Sequence, residues 1–261
     1  MHRTKSRFHV AAVCLTSLLT LSLASFPELV FAGESNTARL GLPGRRVGGG
    51  TRGDCNFGEK TLTALIPKNN LGLTVAANPK FFFYIPQTPT PQIVEFVLLD
   101  DNDRQVYKTA FMTTGASEII HLSLPASKAL PPLAIGKNYH WYFSMLCNPA
   151  NRAEDVFVEG WIKRVEPNPV LALKLEKASS QERAALYASA GFWHEALVAL
   201  AKARRDRPND SAIAAQWTKL LQYVDLDTIA QEPLFDYQNS RQPLTTIQST
   251  KRVGGLGGKE K

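Results

Sequence analysis

From Leu62 to about Val165 the chain runs in short stretches rich in Val, Ile, Phe, Tyr and Thr, broken by Pro, Asn, Asp and Gly, with no helical period among them. Alternation and turn spacing predict strands near 62–66, 80–85, 93–99, 105–112, 118–124, 139–146 and 156–165. Seven short strands at this spacing are the pattern of an antiparallel β-sandwich. Between Phe96-Val97-Leu98-Leu99 and Val106-Tyr107 lies Asp100-Asp101-Asn102-Asp103-Arg104, a cluster of turn formers that predicts an antiparallel hairpin.

After Val165 the period lengthens to that of a helix. Asn168-Pro169 reads as a cap and first position for a helix carrying Leu171, Leu175 and Ala178, and Ser179 with Glu182 has capping-box spacing for a second. From there the chain resembles one tetratricopeptide repeat: Tyr187, Gly191, Trp193, Ala196, Leu200, Ala203 and Pro208 fall at that family's aromatic, glycine, small and proline positions. A further helix is expected from about Ser211 to Tyr223. A solenoid needs about three repeats to bury its core, so a single hairpin must lean on the sandwich or on a partner protein. Within the sandwich, Leu133, Gly136 and Tyr139 resemble the spacing before a late strand of fibronectin type III and immunoglobulin-like domains, which implies a tyrosine hydroxyl bonded back to its own turn.

The ends differ from the body. Arg3, Lys5 and Arg7, then the apolar run Val10 to Ala24, then Val30-Phe31-Ala32 have the layout of a cleavable export signal ending at Ala32. Residues 33–54 read as a flexible Gly/Arg-rich leader, 55–167 as the sandwich, 168–235 as the helical hairpin region and 236–261 as a disordered basic tail. The net charge of +7 is carried by these ends: residues 33–54 and 240–261 together hold +6, whereas 55–239 hold −1. A nucleic-acid-binding face on the folded body is therefore not expected. Two cysteines remain after the signal, Cys55 and Cys147; without CxxC spacing, and in an oxidising compartment, they read as a disulfide.

The segments GLPGRRVGGGTRGDC, FFFYIP, YHWYFSMLCNPANR, FVEGWIKRV, LYASAGFWHEAL and the Pro-Leu at 233–234 are, in this order, similar to the domain of unknown function 928 family, exported proteins known mainly from cyanobacteria. The resemblance implies that sandwich and hairpin travel together, and it supplies no catalytic residue.

Candidate chemistry is sparse. His121 and His140 lie on different predicted strands with no carboxylate at metal-ligand spacing, and His194 beside Glu195 reads as part of a solvated helix face. No GxSxG elbow is present, the acidic turn 100–103 lacks the glycine and distal Glu of a calcium loop, and no cofactor is expected. Alternation places His140 and Tyr142 on one face of their strand, and Phe157, Glu159, Trp161 and Lys163 on one face of the last strand. The leading expectation is a non-enzymatic exported protein of the cell envelope, in the periplasm or outside. It would bind an envelope protein through a hairpin surface at Tyr187, Gly191, Trp193 and His194, with its basic ends tethered to anionic polysaccharide. The alternatives are a glycan-binding module with a Tyr142/Trp161 platform and, last, a hydrolase. No nucleic-acid partner and no membrane span after processing are expected.

Overall fold

The computed structural model describes residues 42–49, 55, 57–128, 130–148 and 150–235. The expected export signal, the rest of the leader and the basic tail lie outside them. Among the described residues nine strands form two sheets. The first contains β1 (Thr63–Ala64), β3 (Lys80–Ile85), β6 (Glu118–Ser123) and β9 (Leu234–Phe235), in that order. The second runs β2 (Leu71–Thr74), β8 (Val156–Arg164), β7 (Asn138–Leu146), β4 (Ile93–Leu99), β5 (Gln105–Met112). Pairing is antiparallel except at two margins, where β2 runs parallel to β8 and β9 parallel to β6.

Hydrophobic pattern decides which sheet lies in the middle. Along β4, β7 and β8 burial alternates, as expected for strands with one face on a core. β3 and β6 are instead buried nearly throughout, because their apolar runs are continuous. Phe81, Phe83 and Ile85 point into the sandwich, against Phe96, Trp141 and Phe143, while Phe82 and Tyr84 point the other way. The Phe83 and Phe143 rings stack with centroids 4.0 Å apart. Gly160 makes room for Trp141, since a Cβ there would come within 2.6 Å of the indole.

Helices cover the outer side of the four-stranded sheet as a third layer. They are α1 (Pro169–Lys177), α2 (Ser180–Ser189), α3 (Trp193–Asp206) and α4 (Ser211–Gln222). Asn168 caps α1, and the Ser179/Glu182 capping box opens α2 with both reciprocal bonds in place. Gly191 turns α2 into α3 at φ +80°, a conformation only glycine adopts cheaply. Ala196 and Ala203 of α3 are buried, Ala196 in one core with Ala184, Ala185 and Ala188 of α2. Leu197, Leu200, Trp217 and Leu221 then share one core with Leu65, Phe82, Tyr84 and Ile119 of the sandwich.

Part of the leader is ordered backbone, which corrects the expectation of a linker over 33–54. Arg45 exchanges backbone bonds with Glu159 of β8, at 3.3 and 2.8 Å, and Gly48 N–H donates to Leu62 C=O at 2.8 Å. Val47 bridges to Thr63. Residues 42–48 therefore cross from one sheet to the other, and their backbone groups find partners where the Gly-rich composition suggested none. The Arg46 guanidinium continues to the C-terminal end of α4, donating to Val224 C=O at 2.6 Å.

Candidate functional site

The outer face of the five-stranded sheet is built by alternation. Each core residue of β7 and β8 is flanked by residues pointing outward, and the register brings these into rows: Trp161 beside His140, and Glu159 beside Tyr142. On β4 the outward residues are Ile93, Glu95, Val97 and Leu99; Leu99 continues the His140 row and Val97 the Tyr142 row. All of these except the more buried His140 are half-buried. α2, α3 and α4 share their core with the four-stranded sheet, and α3 also meets β2; over the five-stranded sheet's outer face the leader reaches Trp161 and Phe157 through Pro43 and Arg45, and Arg152 reaches Glu95.

At its centre the His140 and Trp161 rings stack in parallel, 4.2 Å apart with an interplanar angle of 3°, and the Tyr142 ring lies tilted with its centroid 4.4 Å from that of His140. Residues on neighbouring strands stack this closely only when their rings stand up from the sheet, so one indole face is covered by the imidazole and edges face outward. The indole Nε1–H donates to Pro43 C=O at 2.8 Å, and the Arg45 guanidinium sits 4.9 Å above the Phe157 ring. His140 Nε2 is 3.2 Å from Glu159 Oε2, a contact that favours the protonated imidazole. Burial outweighs that attraction and lowers the His140 pKa, while burial and then the Glu159 charge raise that of Tyr142. Both side chains are neutral at pH 7.

The hairpin residues singled out from the sequence face a different way. Trp193 is 5% exposed and His194 1% exposed, Tyr187 is half-buried, and Gly191 is exposed. The solvated face expected at His194 is corrected: β2 and β3 lie against the start of α3 and enclose it. Trp193 Nε1–H donates to Leu65 C=O at 2.7 Å, and His194 Nδ1–H donates to Lys80 C=O at 3.0 Å. His194 Nε2 is buried without a partner against Gly72, where a Cβ would lie 2.2 Å away. Complete burial pulls the His194 pKa down to about 4. Glu195 accepts from Thr74 Oγ1 and from the N–H groups of Val75 and Ala76, closing the turn after β2, and burial raises its pKa.

The other candidates stay apart. His121 is on β6, beside Lys80 and Phe82 of the four-stranded sheet, whereas His140 is on the opposite sheet. Among the described residues no group of three or more His, Cys, Asp or Glu side chains is placed to hold a metal. Asp100 is engaged within its hairpin, accepting from the N–H groups of Asn102 and Arg104 and from the Arg104 guanidinium. Cys55 and Cys147 are joined as a disulfide, with Cα atoms 5.1 Å apart.

Sequence reading missed an open cleft of about 500 Å³ whose lining includes Glu59, Lys60, Tyr84, Gln87, Ser117 and Glu232. Lys60 pairs with Glu232 at 2.6 Å. Burial works to raise the Glu232 pKa, but the bonds from Lys60 and Ser117 outweigh it and hold the carboxyl below its ordinary range. Burial, then the Glu232 charge, pushes the Tyr84 hydroxyl up to about 12. Among the described lining residues there is no histidine. These residues come from segments far apart in the chain, so no local motif announced them.

The family model described as Domain of Unknown Function (DUF928) matches residues 47–234. The chain belongs to that family. The DUF928 match opens at the Val47–Thr63 bridge and closes at Leu234 of β9, so it takes in the sandwich and all four helices together. A search of curated proteins finds no match to the chain.

Proposed function

We propose that this DUF928 protein is a non-enzymatic binding module that acts after export, through protein–protein contacts in the cell envelope, and that the outer face of its five-stranded sheet makes them. The observation that carries this reading is the division of labour between the two sheets. The hairpin spends Trp193 and Leu197 on the four-stranded sheet and His194 at the margin between Lys80 of β3 and Gly72 of β2, whereas Val97, Leu99 and Tyr142 form a half-buried strip on which no described helix packs, flanked by Phe157 and Trp161 under the leader at Arg45 and Pro43. Export is supported by the charged and apolar layout of residues 1–32 and by the Cys55–Cys147 disulfide.

The sandwich reads as immunoglobulin-like. The order β1-β3-β6 against β8-β7-β4-β5, the parallel β2–β8 margin, and Tyr139 Oη accepting from Ala134 N–H at 3.0 Å support this. The hairpin reads as tetratricopeptide-like on its Gly191 turn and its buried Ala196 and Ala203. A photo-crosslinking residue placed at Val97 in the producing cell is expected to give discrete protein adducts, while the same residue at Lys219 on α4 gives none. Equal labelling from both positions, or none from Val97, rejects the sheet face as the contact surface.

A glycan site at Tyr142 and Trp161 is the second reading, favoured by the aromatic row with Glu159 and Arg45 beside it. The parallel stack on His140 weighs against it by covering a ring face that a sugar would use. Retention on envelope polysaccharide that disappears in Trp161→Ala would establish it.

A further inference from the structure

The five-stranded sheet ends at β5, and that edge is of a different kind from the other three. β1 and β9 are two residues long. β2 is packed on α3, and the leader continues its line along β8 through the Arg45–Glu159 bridge. β5 has eight residues, no proline, and exposed positions at Gln105, Lys108 and Met112. No described strand lies beyond it.

The phase of the ladder says which backbone groups face outward. Thr113 N–H donates to Gln92 C=O at 2.8 Å, just past the end of the β4–β5 pairing. Bonded and non-bonded pairs alternate in an antiparallel ladder, so Phe111, Thr109 and Tyr107 turn their backbone groups toward β4. Lys108, Ala110 and Met112 turn theirs away.

The geometry points to self-association: two copies pair their β5 strands antiparallel about Thr109, joining two five-stranded sheets into one of ten strands. In this register Lys108 and Ala110 of the second copy exchange both backbone bonds, and the same pair forms again on the other side of the two-fold axis. Tyr107 faces Phe111 of the second copy, Val106 faces Met112, and Thr109 faces Thr109. Aromatic pairs and Thr–Thr pairs are among the favoured cross-strand neighbours. Charge chooses the same register. The Lys108 ammonium is held by Glu95 at 2.8 Å and lies opposite a small alanine; centring the pair on Lys108 would set two ammonium groups against each other. A lysine on an edge strand ordinarily discourages pairing, and here Glu95 neutralises it. This inference extends the proposed contact face across both copies and does not depend on that face having another partner.

Thr109→Cys provides the direct test on the mature, oxidised protein. A non-bonded antiparallel pair brings Cα atoms to about 4.5 Å, within disulfide range. Mild oxidant should give a covalent dimer with Thr109→Cys. It should give none with Gln105→Cys, whose two copies would stand about 27 Å apart at strand rise. Ala110→Pro removes an outward N–H and no bond to β4, so it should keep the fold by circular dichroism. It should weaken the dimer by about tenfold or more in sedimentation equilibrium, since two backbone bonds are lost per dimer. Failure of Thr109→Cys to cross-link, or a chain that sediments as a monomer throughout, overturns the proposal. So does a dimer unaffected by a folded Ala110→Pro. If dimers form only after residues 236–261 are removed, the edge belongs to the chain's own tail and the proposal also fails.

Discussion

His194 and Gly72 are two halves of one contact. Neither is explicable alone: the glycine leaves room that the imidazole fills, with Nε2 where a Cβ would stand. Gly72→Ala is expected to destabilise the fold by about 2 kcal/mol through overpacking. In the double variant with His194→Ala the two losses should combine to less than their sum, because the alanine methyl then enters vacated space; chemical denaturation of the four proteins reads this directly. The same histidine sets a pH dependence. Its folded pKa of about 4 lies below the ordinary value of 6.5, so between these the unfolded chain takes up a proton that the folded chain refuses. Stability from this group is complete above pH 6.5 and is lost as pH falls toward 4, by up to about 3 kcal/mol. Glu195 works in the opposite sense, since its raised pKa removes stability as pH rises through and above the carboxylate range. Urea titrations of His194→Gln should therefore show a flatter fall from pH 6.5 to 4 than the wild-type chain. The sequence showed His194 and Glu195 as adjacent polar residues on a helix, and it could not show that β2 and β3 close over them.

At the scale of elements, the leader crossing at 42–48 and the Tyr139 turn are each held by one polar side chain. Tyr139→Phe deletes the acceptor of Ala134 N–H at 3.0 Å and should cost about 1 kcal/mol in denaturant unfolding, with spectra unchanged. Arg46→Ala removes the bond to Val224 C=O at the end of α4 and should cost about 1–3 kcal/mol, the range for charge-assisted bonds. Strands with several apolar residues in alternation were legible: β3, β4 and β5 occupy the residues that their pattern marks. The Ser179/Glu182 box and the Asn168 cap likewise opened the helices where local chemistry placed them. β2 was not legible. Leu71-Gly-Leu-Thr is short and follows Lys68-Asn-Asn, so it reads as loop; parallel pairing to β8, 90 positions later in the Leu71–Trp161 pair, makes it a strand. The crossing at 42–48 was hidden for the same reason, being Gly-rich and held by backbone partners contributed from elsewhere. Of the outward face, His140, Tyr142, Phe157, Glu159 and Trp161 could be grouped by alternation along their own strands. Their stacking and the contribution of β4 required the register between strands.

At the scale of the molecule, the boundary at 167/168 separates two kinds of secondary structure but not two independent bodies. Phe82, Tyr84 and Ile119 of the sandwich share their core with α2, α3 and α4. Thermal unfolding should therefore be a single transition by both near- and far-ultraviolet dichroism, and two separated steps would contradict a shared core. Reducing the Cys55–Cys147 bond, which spans a sequence separation of 92, should lower stability by about 4–5 kcal/mol in the chain-entropy view. The pairing of β9 with β6 has a temporal consequence. Because Leu234 and Phe235 are laid beside Ile119 and Ile120 only after every helix has been passed, the four-stranded sheet stays one member short until nearly the whole polypeptide has emerged. A chain of this kind reaches its last long-range contact late and slowly. That order makes truncation just before Pro233 the change that leaves the four-stranded sheet permanently unfinished.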